Sequence, residues 1–344
     1  MKTNNLTKIV PGAAFALLIS GGAALAQDEK VTIKFAMAVP PTHYSAINGA
    51  QFFMDRATEL SGGRIEFEWY PAQQLGKAKD MLTLVQTGVV DMADVVPSYT
   101  PEKLPLTSVS ELPSQAITSC EGTEVLYQMA QEGEFLGENE FGKQGVRSLM
   151  IATFVPYKIL TKSVEVKTAN DLNGVKLRAS GGATEMSARA LGAAPVRLAG
   201  PEVYQALTRG TIDGAIWPLL SLSPFDLTEE INFALTDPSI GTVSTTYIMS
   251  DSSWEKLPED LQKIVTQAGY EASKNFCKYM DDNETAELER LAHITPTQIT
   301  GDERLKWDEI LTQVKTEWAQ RLDGQGLLGT AALEAWNEKS KAMN

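Results

Sequence analysis

The sequence predicts a two-lobed α/β fold, in which each lobe is a mostly parallel sheet flanked by helices and a ligand cleft lies between the lobes. The main observation is a unit that occurs twice. LTLVQTGVVDMADVV at 82–96 and QALTRGTIDGAIW at 205–217 share the order helix, Gly, branched apolar residue, Asp and short apolar strand. Gly88 and Gly210 are expected to end the helices in the left-handed conformation. Open α/β sheets bind ligands at the carboxyl ends of their strands, so facing lobes would line one cleft.

The first lobe is predicted from a strand, helix, strand, helix, strand series. VTIKFAMA from Val31 alternates as a strand does, and the helical pattern at 43–63 ends at a Gly pair. RIEFEWYP at 64–71 is a second strand, 75–88 a helix and 89–96 a short apolar strand. Such a series indicates parallel strands covered by helices.

The second lobe is predicted from a similar series. Its strands are expected at 146–154, 157–161, 174–180, 194–198 and 211–217, with helices at 183–191 and 201–207. Helical patterns follow at 258–291, 301–321 and 330–341. We therefore expect residues 27–150 to form mainly lobe 1, residues 151–250 mainly lobe 2, and residues 251–344 to be helices that pack across both lobes.

The N-terminus has the features of a secretory signal peptide. Lys2 and Lys8 precede a short apolar stretch, and Ala24 and Ala26 fit a cleavage site after Ala26. The apolar stretch is too short to span a bilayer, and no later run is long enough. We expect an exported, periplasmic protein that is not inserted in the membrane.

Charge and motifs exclude several classes of function. The 344 residues carry a formal net charge of −14 without a basic run, which argues against nucleic acid and anionic lipid as partners. His43 and His293 are the only histidines, no GxSxG is present, and no His, Cys, Asp and Glu cluster has metal-ligand spacing. The GxGxxG match at 324–329 follows a predicted helix rather than a strand, so it is interpreted as a loop between helices and not as a dinucleotide-binding motif. We expect no enzymatic activity, no cofactor and no metal.

The two cysteines leave two alternatives open. Cys120 and Cys277 lie far apart in the sequence and outside any CxxC motif. An oxidising compartment permits a disulfide bond, and two buried free thiols are equally compatible with the sequence.

The strongest candidate for a binding residue is Arg178. It ends the strand of VKLRASGGATEM, and Ser180, Gly181 and Gly182 lead from it into a helix. A guanidinium beside a helix N-terminus suits a carboxylate, because bidentate hydrogen bonds and the positive helix end act on the same anion. The alternative is an Arg paired with a structural Asp or Glu.

Aromatic residues are the other main candidates. Trp217 precedes Pro218 at a strand end, so it either lines the cleft or packs in the core. Tyr99, Tyr157 and Lys158 also follow or begin predicted strands, and Lys158 could equally be a solvated charge. His43, in PPTHY, is a further candidate that could simply lie near a helix start.

Several motifs resemble the solute-binding proteins of tripartite ATP-independent periplasmic (TRAP) transporters, the DctP-type family. They are YPAQQLG, DLNGVKLR, LGAAPV and EVYQALTRGTIDG, in the family's order and over most of the chain after residue 26. The resemblance implies a periplasmic binding protein fold, an Arg at position 178 that holds an organic acid carboxylate, and delivery of the ligand to membrane permease subunits. We expect the protein to act as a monomer.

The sequence departs from the commonest form of that family at two places. DGAIWP stands where many relatives resemble DGQENP, so Trp217 replaces an Asn, and a further Arg of the family is replaced by Tyr157 or Lys158. LPLTSVSELP, VPYKILTK and RASGG are similar to a branch that binds monocarboxylates, including aromatic, keto and hydroxy acids. The expected ligand is such a monocarboxylate. A dicarboxylate-binding TRAP protein, a binding protein of an ABC importer or chemoreceptor, and a secreted enzyme on a similar fold are the alternatives.

Overall fold

The computed structural model describes residues 1–2, 30–113 and 118–343. The predicted signal peptide and its cleavage site therefore lie almost entirely outside the described residues. In the first part of the chain the helices and strands are β1 (Val31–Ala36), α1 (Phe52–Leu60), β2 (Ile65–Tyr70), α2 (Met81–Gln86), β3 (Met92–Val95), α3 (Ser119–Ala130) and β4 (Val146–Thr153).

The middle of the chain alternates strands with short helices. It contains β5 (Lys158–Thr161), β6 (Lys176–Ala179), α4 (Gly182–Ala190), β7 (Ala194–Arg197), α5 (Val203–Thr208), β8 (Gly214–Trp217), β9 (Phe233–Asp237) and β10 (Ser244–Ser250). The last part comprises α6 (Asp251–Trp254), α7 (Glu259–Arg290), β11 (Thr295–Gln298), α8 (Gly301–Gly324) and α9 (Gly329–Met343).

The strands form two mixed sheets. The first has the order β2-β1-β3-β10-β4 and the second the order β11-β9-β5-β8-β6-β7. The strand and helix series predicted for each lobe supplies parallel strands, since β1 is parallel to β2 and β3, and β6 is parallel to β7 and β8. β9 and β11 form a further parallel pair in the second sheet. β10 and β5 run antiparallel to their neighbours, a feature that the repeat did not predict.

The chain crosses between the two sheets more than once. β10 belongs to the first sheet although it lies within residues 151–250, and β11 belongs to the second sheet although it lies after residue 250. The division into lobes at residues 150 and 250 stays a prediction.

Long helices join the cores on both sheets. α7 contacts α1, α3 and β4 on the first sheet and also the turn at 219–221 that follows β8. Trp307 of α8 packs in the core of the second sheet, whereas Trp318 of the same helix packs in the core beside the first. Within the described part of the chain, no helix is both long and apolar enough to cross a membrane.

A disulfide bond joins Cys120 to Cys277, which decides between the two alternatives left open by the sequence. It links the start of α3 to the middle of α7, whose next turn supplies Asp281. The Asp281 carboxylate accepts hydrogen bonds from the backbone N–H groups of Ser119 (2.7 Å) and Cys120 (2.9 Å). The covalent link and this helix cap therefore hold the same helix end against α7.

Candidate ligand-binding site

A cavity of about 60 Å³ lies where residues at or near the ends of strands from both sheets meet. The first sheet contributes residues on or after β1, β3 and β4 and at the start of β10, and the second contributes residues on or after β6 and β8. The lining residues are Val39, His43, Ser45, Asp94, Val96, Tyr99, Phe154, Tyr157, Arg178, Trp217, Ser221, Phe225, Val243 and Thr245.

Arg178 is buried, with 2% of its surface exposed. Its Nε donates to the carbonyl oxygen of Leu198 at 2.9 Å, and Nη1 donates to that of Ile216 at 3.3 Å. Nη2 lies 3.5 Å from the hydroxyl of Tyr99. Among the described residues no acid forms an ion pair with this guanidinium, so its charge is buried and held in place without a carboxylate partner.

Trp217 lies against this guanidinium. The Arg178 Cζ atom is 4.5 Å from the centre of the indole ring, within the range of a cation–π interaction. Phe225 packs edge-on against the same indole, with ring centres 5.2 Å apart. Trp217 is 4% exposed and its indole N–H is buried without a hydrogen-bond partner among the described residues. This residue thus combines the two roles that the sequence left open, core packing and cavity wall.

Two tyrosines complete the aromatic lining around Arg178. The Tyr99 hydroxyl accepts a hydrogen bond from the backbone N–H of Gly200 at 2.9 Å, which fixes its position beside Arg178. Tyr157 is 5% exposed and packs edge-on against Phe154. Burial raises the pKa of Tyr157 well above its ordinary value, so it is a neutral hydroxyl at physiological pH.

His43 lies on the first-sheet side of the cavity and is 3% exposed. Its Nδ1 accepts a hydrogen bond from the backbone N–H of Ser45 at 3.1 Å and lies 2.7 Å from the Ser45 hydroxyl, which can also donate to it. The tautomer that satisfies both contacts carries its proton on Nε2. Nε2 has no hydrogen-bond partner among the described residues. Burial lowers the pKa of His43 to about 4, so at neutral pH the ring is an uncharged donor.

Asp94 is a lining residue that sequence reasoning missed. It lies within β3, is 9% exposed, and accepts a hydrogen bond from the Thr245 hydroxyl. Burial raises the pKa of Asp94 to about 6, against the effect of that hydrogen bond. Its signal in the sequence was a carboxylate inside a short apolar strand, where an unpaired charge is costly.

Glu111 is a second buried acid near the cavity, although it is not a lining residue. It is 0% exposed and its Oε1 accepts a hydrogen bond from the Ser244 backbone N–H at 3.4 Å. Burial raises the pKa of Glu111 to about 8, while the backbone bond and the charge of Arg178 act in the opposite direction.

The predicted site residues that do not line the cavity are Lys158, Ser180, Gly181 and Gly182. Lys158 opens β5 opposite Trp217 and donates from Nζ to the Thr236 carbonyl oxygen at 2.9 Å. Ser180 exchanges a hydrogen bond with Thr184 at 2.9 Å, and Gly182 begins α4. Their roles in binding stay predictions.

Gly181 allows close contact between the two halves of the molecule. Its φ of +125° favours glycine, and a Cβ atom there would lie 2.3 Å from the carbonyl oxygen of Ser98. The turn between β6 and α4 can therefore approach the segment after β3 only with glycine at this position.

The described residues contain no group of three or more His, Cys, Asp and Glu side chains that could hold a metal ion. The cavity instead combines one buried cation, a wall of aromatic rings and a few polar groups. This composition is typical of small-molecule binding sites.

Two sheets that enclose such a cavity define the class of a two-lobed solute-binding protein. The chain belongs to the family described as bacterial extracellular solute-binding protein, family 7, or DctP, whose sequence model matches residues 35–321. The predicted TRAP family and two-lobed fold are thereby confirmed. DctP-type proteins are periplasmic and serve transport, and the family is not one of enzymes.

Individual relatives agree with this assignment. The chain is 28% identical over 342 residues to the C4-dicarboxylate-binding periplasmic protein DctP of Rhodobacter capsulatus, covering 97% of this chain and 100% of that protein. It is similar to a TRAP solute-binding protein of Rhodoferax ferrireducens in complex with copurified benzoate, at 27% identity and a TM-score of 0.83, covering 91% and 98% of the chains. A marine metagenome TRAP protein in complex with 3-hydroxybenzoate gives 25% identity and a TM-score of 0.83, covering 91% and 99%.

Proposed function

We propose that this protein captures an organic acid anion in the periplasm and delivers it to the permease of a TRAP transporter. The proposed ligand is a monocarboxylate of the aromatic, keto or hydroxy acid class. The observation that carries the proposal is the buried guanidinium of Arg178, which reaches the cavity without an acid partner among the described residues. An anion in the cavity would supply the missing charge.

The aromatic wall supports an apolar or aromatic ligand body. Trp217, Phe225, Tyr99 and Tyr157 offer rigid apolar surface close to Arg178. The neighbours that hold benzoate and 3-hydroxybenzoate favour the same class. A dicarboxylate is the second candidate, because the Rhodobacter capsulatus relative is named for C4-dicarboxylates.

The volume of the cavity favours a compact ligand. At about 60 Å³ it is smaller than the roughly 150 Å³ of an engineered cavity that holds benzene. A second cavity of about 40 Å³ shares Val39, Asp94, Val96, Tyr99 and Phe225 with it. An aromatic acid would therefore require small movements of these shared side chains or of the two sheets.

We further propose that Ala26 is the last residue removed on export, that residues 27–150 and 151–250 mainly form the two lobes, and that the protein acts as a monomer.

We also propose that the protein has no enzymatic activity and releases its ligand unchanged. Conversion of any bound acid by the purified protein would overturn this part of the proposal.

The test measures binding of small organic acids by calorimetry with the parent protein, Arg178→Ala, Arg178→Lys and Arg189→Ala. Arg189 is the matched control, because it is a surface Arg on α4 that pairs with Glu185 and does not line the cavity. Removal of Arg178 leaves the ligand carboxylate buried with its main partner lost, so binding weakens by roughly 2–5 kcal/mol. Arg178→Lys binds poorly too, since an ammonium lacks the planar fork.

Two outcomes would contradict the proposal. Equal affinity in Arg178→Ala and Arg189→Ala would show that Arg178 is purely structural. A parent protein that binds sugars or cations but no organic acid would exclude the ligand class.

A further inference from the structure

We propose that Asp94 and His43 form a second recognition site in the cavity that Arg178 lines, so that the ligand is a monocarboxylate that also carries a hydroxyl group, and dicarboxylates are rejected. This inference rests on the proposed function, because it assumes that Arg178 holds a carboxylate. It adds the chemical group that the ligand must carry besides its carboxylate.

The first step is the unusual position of the Asp94 carboxyl group. It lines the same cavity as Arg178, yet no ion pair joins it to Arg178 or to any other described Lys, Arg or His. Its partner among the described residues is the hydroxyl of Thr245. A carboxylate can accept about four hydrogen bonds, so most of its capacity is free for a donor in the cavity.

The second step is the state of His43. Nδ1 faces the backbone N–H and the hydroxyl of Ser45, and the tautomer that accepts from both carries its proton on Nε2, which is buried and lacks a partner among the described residues. The cavity thus offers an uncharged donor from His43 and a strong acceptor from Asp94. A hydroxyl group both donates and accepts, so a single ligand hydroxyl can satisfy either residue or both.

The third step concerns charge. Of the described residues that line the cavity, Arg178 alone carries a positive charge at neutral pH, since His43 is neutral. The second carboxylate of a dicarboxylic acid would have no cation to pair with and would lie in a small buried space with Asp94. Like charges at an interface strongly disfavour the wrong partner. The raised pKa of Asp94, about 6, leaves it mostly ionised at pH 7.5, so this repulsion persists there.

Calorimetry on matched acids tests the inference at pH 7.5. Each parent acid is compared with derivatives that carry a hydroxyl group, an amino group or a second carboxylate. One series is benzoate, the hydroxybenzoates, the aminomethylbenzoates and the phthalates. The other is the corresponding propionate series with malonate. For the series that binds best, the parent protein should bind a hydroxy acid at least tenfold more tightly than the unsubstituted acid and the dicarboxylate.

Two variants link this preference to Asp94. Asp94→Asn keeps an oxygen that accepts from Thr245 but removes the charge, so affinity for the dicarboxylate should rise at least tenfold. Asp94→Leu removes the acceptor, so the preference for the hydroxyl should fall at least tenfold. Asp282→Asn is the control, since Asp282 pairs with Lys278 on the surface of α7 and should change neither ratio.

The outcomes separate this inference from the proposed function. If organic acids bind but the hydroxyl gives no advantage, or if Asp94→Asn and Asp282→Asn give the same ratios, the inference is wrong and the organic acid function stands. A preference for the amino acids would replace the hydroxyl by an ammonium group and would also overturn it. If no acid binds to the parent protein, the proposed function fails first, and the inference fails with it.

Discussion

Replacement of Trp217 by Ala should impair both stability and ligand binding. The indole is 4% exposed, packs edge-on against Phe225, and lies 4.5 Å from the Arg178 Cζ atom. Two effects therefore add: a cavity opens in the core, and the guanidinium loses the flat surface on which it rests. Trp217→Asn should in addition shift ligand preference towards more polar acids, because an apolar wall is replaced by an amide.

The magnitude follows from burial and stacking. Truncation of a buried Trp to Ala costs about 3–5 kcal/mol of unfolding free energy. A desolvated cation–π contact contributes about 2 kcal/mol or more, although part of it is already counted in the packing loss. We expect Trp217→Ala to lose at least about 3 kcal/mol of stability and to bind aromatic acids much more weakly. Trp217→Phe keeps a ring beside Arg178 and should lose less of both.

Urea unfolding and calorimetry on the same variants measure the two effects separately. Trp254→Ala is the matched control, because Trp254 also carries an Arg stack, with the Arg147 Cζ atom 4.4 Å from its ring centre, but does not line the cavity. It should lose some stability and leave ligand affinity unchanged. If Trp217→Ala loses stability but binds the whole ligand panel with parental affinity and ranking, Trp217 is core packing only and the reasoning is refuted.

Two further predictions concern stability. The folded-state pKa of Glu111, about 8, lies above its unfolded value, so the folded state retains a proton that the unfolded state has released, and the free energy of unfolding falls as pH rises through this pKa. Thermal unfolding of the parent should show a loss of about 1 kcal/mol between pH 7 and 8.5, and Glu111→Gln should abolish this loss. An unchanged pH dependence in that variant would exclude Glu111 as its source. The double variant Cys120→Ser, Cys277→Ser removes a link across 157 residues and should lose about 2–5 kcal/mol in denaturant unfolding, whereas equal stability of the two proteins would contradict a contribution from the disulfide bond.

Local sequence patterns were sufficient to predict the parallel strands around each repeated unit, but not the parallel pair β9 and β11. Local apolar periodicity and the helix-ending glycines define β1 to β3 and β6 to β8, because these elements follow one another in the chain. The antiparallel strands could not be placed in this way. β10 pairs with β4 across roughly ninety residues, with Ser244 opposite Thr153, and no local pattern specifies a partner at that distance.

The candidate site was predicted where it coincides with strand ends. The cavity is lined by residues that lie at or after strand ends of the two sheets, namely Arg178, Trp217, Tyr99 and Tyr157. His43 lies in the segment after β1. Phe225 and Thr245 were missed, because Phe225 lies in a loop after β8 and Thr245 lies in β10, a strand that the sequence analysis did not predict. Asp94 was missed although it is a carboxylate among the apolar residues of β3, because the repeated unit has its shared Asp at position 91 and not at position 94.

The distribution of these residues over the two sheets suggests why a ligand with two polar ends suits a transport receptor. Arg178 lies on the second sheet and Asp94 on the first, so an acid that contacts both contributes binding energy only when the two sheets face each other closely. A ligand shifts a conformational equilibrium only by its difference in affinity for the two states. In a form with the sheets further apart, an acid that contacts only residues of the second sheet would keep most of its affinity. An acid whose hydroxyl also contacts Asp94 would lose that contact in such a form, so we expect the ligands that Asp94 selects to favour the arrangement with closely facing sheets most strongly.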